Sequence, residues 1–539
     1  MRAMNRPALP DAGEALLAPS RRAPIQWVVL VALTWIVSGL FYLTLPPTTD
    51  QFAHAYMGWR LLEGDLPYHD FIDSNWPGVM GLHALAIALF GVNLWSWRAL
   101  DFLLLAACSP FLADIVRQAA GARASRFSLT LLPIIYASLD FFMAGQHDMS
   151  AAQFLVVGLW CHVRAHQRGS ARWSLAAGVG IGLAMLGKPT VGVAGLLLPI
   201  QALLLGVPLR TTVRHTLANA AGLCLCLVTS GATIVAIGTP LRDFIDGVFT
   251  INLTTQYLDS PGMTKPPMSR LVGMMAWEIL RGQWVLVLGS VPAVCWLLRR
   301  GNRSIATTTL PLLWLSGVLS YLVQSRGATY HLAPSIIAMA AMVPISVALV
   351  TDKRLRLGPA RLHRWSAFVL LALLVAGLTN RLYFNFRSVP EALASSNFDQ
   401  HLARFPSPAI EGVKLPEVLA FVRRLDSRPT GECVLALGTL SSINYLSKRP
   451  QGTRFYYFPY LYLAKPPMPL AGRWTDLWQS DLAKARCHYV LIANWIQIGW
   501  LHKPGPAPAA LRRYLDAFRE VGVLGGPGGM TVYERKDTY

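Results

Sequence analysis

Charge is scarce in this chain, and acidic charge is the scarcest. Of 539 residues only 14% are Asp, Glu, Lys or Arg, and 48 basic residues stand against 28 acidic ones, a formal net charge of +20. A soluble chain carries about a quarter charged residues. With 53% apolar residues and a positive mean hydropathy, the composition excludes an ordinary soluble domain. Cysteine is also sparse. The seven residues are too scattered for a metal framework, and five lie in or beside apolar runs, where small buried hydrophobes belong. No internal repeat of fixed period is present, so the duplicated halves of many transporters are missing. The positive charge does not point to nucleic acid, because the basic residues are confined to short connectors between apolar runs, as the positive-inside rule requires.

What is abundant is apolar sequence in runs of about 17–25 residues, the length that crosses a hydrocarbon core. The first run begins near Ile25, is too long for a signal-peptide core and lacks a small-x-small cleavage site, so it reads as a retained span. Basic connectors (Arg21 and Arg22; Arg117, Arg123 and Arg126; Arg164, Arg168 and Arg172; Arg210 and Arg214; Arg299, Arg300 and Arg303; Lys353 to Arg364) mark the cytoplasmic side. Alternation between them predicts eleven spans, near 26–45, 98–117, 127–143, 149–165, 174–187, 190–206, 216–238, 282–298, 305–323, 331–350 and 366–383. The short apolar segment 79–93 would invert every later connector if it crossed, and reads as an interfacial helix. Within 174–206, Lys188-Pro189 marks either a tight outer turn or a kink.

After Tyr383 helical patterns ("LPEVLAFVRRL", "LRRYLDAFREVG") alternate with β-rich runs ("CVLALG", "HYVLIAN", "MTVYER"), which predicts a small α/β domain. The expected fold is therefore a polytopic α-helical membrane domain over 1–383, with 46–97 as its first outer loop, followed by an extracytoplasmic α/β domain over 384–539. Cys433 and Cys487 each precede a predicted strand on the oxidising side. Neighbouring strands are expected, with a disulfide and two buried thiols both open.

Reaction chemistry that needs carboxylates belongs on the outer side, since the cytoplasmic connectors are short and basic. The loop 46–78 holds five carboxylates and one arginine, Arg60. Asp50 stands where the first span ends; Thr48, Thr49 and Asp50 also read as helix-starting residues, and Asp50 and His54 share a helix face. Asp148, in the short connector "AGQHDMS", sits at the membrane boundary, where ionisable groups are costly and often functional. Tyr330 and His331 begin a span just after Arg326, whose guanidinium is suited to phosphate; Lys265 is a similar candidate. Asp50 and Asp148 without a third ligand do not define a metal site. No cofactor is expected, with a divalent ion as the lesser alternative.

Three stretches carry a resemblance: Asp50 opening the loop, then "LLEGDLPYHDFIDSNWPG" and "LFGVNLWSWRALD". They resemble the opening of the GT-C-type glycosyltransferases, which include protein O-mannosyltransferases and lipid A aminoarabinose transferases. "GVGIGLAMLGKPTVGV", "YHLAPSIIAMAAMV" and the terminal "CVLALGTLSSINYLSKRPQGTRFYY" are similar to later parts of that family. The resemblance implies an inverting transfer of a sugar from a polyprenyl-phosphate carrier to a lipid, glycan or protein acceptor, outside a bacterial cytoplasmic (inner) membrane. It implies Asp50 as general base and Asp148 as the acidic residue of the second outer loop. The sequence departs from the family at "NWPG", where Asn75 stands in place of a lysine facing the carrier phosphate. Arg326, Lys265, Lys188 and Arg60 are the cations that could compensate, and Tyr68 and Asn75 would shape the cavity. A lipid-linked sugar flippase or a catalytically inactive relative are the competing classes.

Overall fold

The computed structural model describes residues 24–253, 267–299, 303–325, 327–351, 360–394, 398–405, 411–426, 432–457, 459–463, 469–526 and 528–536. Thirteen of its helices order the membrane part: α1 (Ile25–Leu43), α2 (Thr49–Leu62), α3 (Pro77–Phe90), α4 (Ser96–Ala120), α5 (Ala122–Ala137), α6 (His147–Arg168), α7 (Ala171–Gly187), α8 (Val193–Leu204), α9 (Leu209–Ala236), α10 (Met268–Arg299), α11 (Ile305–Gln324), α12 (Ala333–Thr351) and α13 (Ala360–Phe386). Among the described residues, seven helical segments are long and apolar enough to cross a membrane, and they coincide with the spans expected on α1, α4 and α9–α13. The four other expected spans fall on α5–α8. Three of these are only 16, 17 and 12 residues long, and α6 carries Asp148, Gln153, His162 and Arg164 among its apolar residues.

The local sequence explains the breaks. Gln51 returns its side-chain oxygen to the Thr48 N–H (3.2 Å) and so closes the start of α2. Pro77 occupies the first turn of α3, where its missing N–H costs nothing. Asn93 accepts from the N–H groups of Trp95 and Ser96 (both 2.9 Å) and starts α4. The α7 stretch "GVGIG" packs directly on α9, where a side chain at Gly178 would run into the Asn219 carbonyl. The apolar segment 79–93 forms α3, and its buried face includes Val79, Met80, Ala84 and Ile87.

Lys188-Pro189 is a tight turn. Lys188 is extended (φ −149°, ψ 102°) between α7 and a 3-10 turn, Pro189–Gly192. The end of α11 donates from Gln324 to Thr190 (3.0 Å) at the top of α8, whereas Gln201, farther along α8, reaches Ile305 O (3.1 Å) at the start of α11 and His162 (3.2 Å) on α6. Gly187 packs against Ala151 on the opening turns of α6, and Gly180 against Gly158. Helices α7 and α8 therefore run in opposite directions as a hairpin.

Beyond α13 the chain builds a four-stranded sheet in the order β1 (Val434–Leu437), β2 (Tyr489–Ala493), β4 (Met530–Arg535), β3 (Phe518–Leu524). β1 and β2 are parallel, with Leu435 opposite Val490; the other pairs are antiparallel. The predicted strands become β1, β2 and β4, and "LPEVLAFVRRL" becomes the helix Leu415–Leu425. One expectation is corrected. "LRRYLDAFREVG" is not helical throughout: the helix stops at Leu515 and Phe518–Leu524 forms β3, because the following glycine-rich turn folds this segment back on β4. The helices over 441–484 join β1 to β2, with Trp478 and Phe455 fully buried beneath the sheet.

Cys433 and Cys487 precede the paired strands β1 and β2, and they are bonded, with Cα atoms 4.4 Å apart. Removing the bond frees a 54-residue loop, which by chain entropy costs about 2–5 kcal/mol. Cys433→Ser is expected to lower the thermal midpoint of the purified protein under non-reducing conditions by several degrees. Non-reducing peptide mapping should recover the Cys433–Cys487 link; two freely alkylated thiols would contradict it.

Candidate active site

The site is built at the end of the bundle where α2 and α3 lie, and its frame is a buried guanidinium. Arg98, fully buried on the first turn of α4, donates to Leu45 O (3.3 Å), to Pro46 O (2.7 Å) and to Ala144 O. Trp97 donates its indole N–H to Gly145 O. Gln51 Nε2 donates to Ala144 O (2.8 Å), and Gln146 Nε2 to Thr48 Oγ1 (3.2 Å). The turn after α1 and the turn before α6 are thus fixed to one another. Each is followed within a few residues by an aspartate: Asp50 on α2 and Asp148 on α6.

Both aspartates border a cavity of about 570 Å³, together with His54, His147, Lys188, Tyr330 and His331 from the membrane part; Asp50 lines it directly, and Asp148 stands behind the lining side chains. Asp148 is the hub of a buried cluster. Its carboxylate lies 3.3 Å from Lys188 Nζ, 3.2 Å from His331 Nδ1 and 3.2 Å from His147 Nε2. Asp50 is half-buried and accepts from the Tyr330 hydroxyl (3.4 Å). Burial raises the Asp50 carboxyl above the ordinary carboxylate value, opposed by the charge of Lys188 and the Tyr330 hydroxyl. Desolvation lowers His54 well below the usual imidazole range, so its ring is neutral.

The opposite wall comes from the first loop and the C-terminal domain. Asp73, Ser74 and Asn75 line it beside Tyr457 and Tyr460, and the Tyr460 hydroxyl accepts from Ser74 N (3.1 Å). Asp73 is almost fully buried; it accepts from Asn75 N (2.6 Å), Asn75 Nδ2 (2.7 Å), the Tyr456 hydroxyl and the Tyr460 hydroxyl (3.3 Å). A second, larger space of about 1250 Å³ adjoins the first. It shares Ser74, Asn75 and Lys188 with it, and continues along Trp76, Val248, Phe249, Leu253 and Val323. A polar chamber therefore opens into an apolar groove, with Lys188 at the junction.

Of the residues singled out in the sequence, the structure brings together Asp50, Asp148, His54, Asn75, Lys188, Tyr330 and His331. Two lie elsewhere. Arg60 is held by Asp65 (2.6 Å) and faces a separate cleft with Arg454 and Asp481, because it lies ten residues along α2 from Asp50. Tyr68 donates to Asn75 O (2.7 Å) and so supports the loop from behind. Lys265 and Arg326 lie outside the described residues. Among the described residues, Lys188 is the lysine or arginine that lines the chamber. Sequence reasoning passed over Asp73, the tyrosines 456–460 and the Arg98–Asp101 pair. Signals existed: opposite charges three residues apart at the head of a long apolar run, and the aromatic density of "RFYYFPYLY".

Comparison with known proteins agrees with this architecture. Residues 77–234 match the sequence pattern of the family described as dolichyl-phosphate-mannose-protein mannosyltransferase. Among curated proteins, no sequence matches. The crystal structure of ArnT from Cupriavidus metallidurans bound to undecaprenyl phosphate superposes with a TM-score of 0.60 at 13% identity, covering 96% of this chain and 99% of that one. The apo state of the same enzyme gives 0.56 at 15% identity, covering 94% and 98%. The archaeal oligosaccharyltransferase AglB from Archaeoglobus fulgidus, in complex with an inhibitory peptide and a dolichol-phosphate, gives 0.45 at 11% identity, covering 94% and 74%. The chain has the fold of the GT-C membrane glycosyltransferases.

Arg98→Leu keeps bulk but leaves buried carbonyls without a donor. Breaking a buried charged network costs about 3–5 kcal/mol. A large fall in the thermal midpoint of the detergent-solubilised protein is expected, with only partial recovery in Arg98→Lys, whose ammonium cannot fork to three carbonyls. An unchanged midpoint would remove Arg98 from this role.

Proposed function

We propose that the chain is an inverting glycosyltransferase that moves a sugar from a polyprenyl-phosphate carrier to a lipid, glycan or protein acceptor on the outer side of a bacterial cytoplasmic membrane. The observation that carries this reading is the junction: a polar chamber bearing Asp50 meets an apolar groove at Lys188. A prenyl chain suits the groove, a sugar suits the chamber, and the phosphate that links them falls at the cation.

In this reading Asp50 takes the proton of the acceptor hydroxyl as that oxygen attacks the anomeric carbon from the face opposite the phosphate. The bond from the anomeric carbon to the phosphate oxygen breaks, and the polyprenyl phosphate leaves with the electron pair. Polyprenyl phosphate is a good leaving group, so no strong general acid is needed. Lys188 stabilises the charge that grows on it. Asp148, itself held by His331, holds Lys188 at the junction, and Tyr330 orients the Asp50 carboxylate. The lysine replaced by Asn75 in the first loop is thereby matched by a cation from the α7–α8 turn.

Asp50→Asn is isosteric and caps a helix about as well, so the fold should persist while transfer falls by about 10²–10⁴. Asp148→Asn should be the next most damaging, because it releases Lys188. The measurement is transfer from radiolabelled polyprenyl-phosphate sugars in reconstituted membranes. Undiminished turnover by folded Asp50→Asn would reduce the residue to a cap. The base must be ionised and its pKa is raised, so activity is lost as pH falls through a value above that of an ordinary aspartate. Lys188→Met should move this acid limb further toward neutrality. Impermeant thiol labelling in intact cells is expected at Glu520→Cys in the C-terminal domain and not at Arg172→Cys; the reverse pattern would place the chamber on the wrong side of the membrane.

A further inference from the structure

Asn75 stands at the junction of the chamber and the groove, beside Lys188. Its amide orientation is fixed from three directions. Nδ2 donates to Asp73 Oδ1 (2.7 Å) and faces His54 Nε2 at 3.3 Å, and the Asn75 backbone N–H donates to the same Asp73 oxygen (2.6 Å). Turning the amide over would set its carbonyl oxygen against the carboxylate, and a neutral His54 accepting at Nε2 favours the same orientation. Asp73 cannot easily yield, because the Tyr456 and Tyr460 hydroxyls hold its other oxygen. The amide donors are thus committed to the protein, whereas among the described residues no group donates to Asn75 Oδ1. A position that could have offered positive charge instead presents an acceptor.

We propose that Asn75 is the residue that reads the donor sugar: its side-chain oxygen accepts a hydrogen bond from the hydroxyl on the carbon next to the phosphate-bearing anomeric carbon. This rests on the donor reading above. An acceptor so close to the phosphate repels the anion and finds no use there, whereas a sugar hydroxyl one carbon away supplies the missing donor. The Tyr457 and Tyr460 rings, 5.4 Å apart, supply aromatic surface for the sugar on the same wall. Asp73 acts through Asn75 and is a positioning residue, held by the C-terminal domain.

The test uses the full-length protein in lipid nanodiscs and measures affinity for four probes: undecaprenyl phosphate, and the same carrier bearing glucose, mannose or 2-deoxyglucose. Wild type is expected to bind one of the two hydroxylated sugars about tenfold more tightly than the 2-deoxy sugar, the effect of one satisfied hydrogen bond against an unpaired acceptor. In Asn75→Leu that ratio should collapse to about one. Asp73→Asn leaves Asn75 in place but frees its amide to turn, and should also lower the ratio; it serves as the second variant if Asn75→Leu does not fold. A ratio that persists in either variant, or a wild type indifferent to the 2-hydroxyl, overturns the proposal while binding of undecaprenyl phosphate keeps the carrier reading. Failure of undecaprenyl phosphate to bind wild type overturns both.

Discussion

The site depends on a charge with nowhere to go. Arg98 is fully buried at the head of α4, and an ion there costs several kcal/mol unless its hydrogen bonds are met. It meets them with backbone carbonyls from two turns that are otherwise independent, 45–46 and 144. Its compensating charge, Asp101, is reached through Tyr42, whose hydroxyl donates to the carboxylate (2.5 Å) and lies 3.5 Å from the guanidinium. Tyr136 donates to the same carboxylate (2.8 Å). The pair therefore links α1, α4 and α5 to both aspartate-bearing turns. The guanidinium's fork geometry can serve several carbonyls at once, so the separation of Asp50 from Asp148 is set by a rigid group instead of by loop packing.

Charge in the chamber follows the same economy. Two carboxylates, Asp50 and Asp73, line it and a third, Asp148, stands behind Lys188, the described cation of the lining. Asp148 is already committed to Lys188, and Asp73 to neutral donors, so Asp50 is the carboxylate with the lightest set of partners and the best placed to take a proton. In the proposed transfer the carrier phosphate begins with one negative charge and leaves with two. The lysine that it meets is shared with Asp148, and His147 and His331 flank that carboxylate. In that reading, growing charge on the leaving group draws on Lys188 while His331 remains bonded to the Asp148 carboxylate. In the proposed transfer the cluster would favour the late, more charged phosphate over the early one, the direction catalysis requires.

Much of this was legible in the sequence, for identifiable reasons. Apolar length and the distribution of arginines set the helices of the bundle, because bilayer thickness imposes a period that local sequence cannot evade. Asp50 and Asp148 stood out because carboxylates at span ends are expensive. Lys188 was visible as a charge inside an apolar run, but its place depended on whether Lys188-Pro189 turned or kinked, and that was decided by contacts of α8 with α6 and α11. Arg60 misled because sequence proximity to Asp50 is not spatial proximity on a helix: ten residues on, it faces another cleft. Asp73 and the tyrosines 456–460 were hidden because their partnership spans some 380 residues of sequence, and no local pattern encodes a contact of that range.

That contact also explains why the terminal domain is part of the site. The segment 450–457 runs along α2 and the first loop: Gln451 N donates to the Tyr56 hydroxyl (2.9 Å), Arg454 O accepts from Ile72 N (3.0 Å), and Tyr456 stacks on Tyr56 with ring centres 5.1 Å apart. The segment is braced on its far side by the disulfide, since a side chain at Gly452 would run into Cys487 Sγ, and by Gln451, whose side chain pairs with both backbone groups of Ala436 in β1 (3.0 and 2.9 Å). The sheet shares one continuous core with α2 and the first loop, from Phe52, Tyr56 and Phe71 to Leu435, Trp478 and Leu491. Carrying the tyrosines on the connection between β1 and β2 fixes Asp73, and through it Asn75, without ordering more of the first loop. The cross-link therefore acts on the chamber wall as well as on the stability of the domain that bears it.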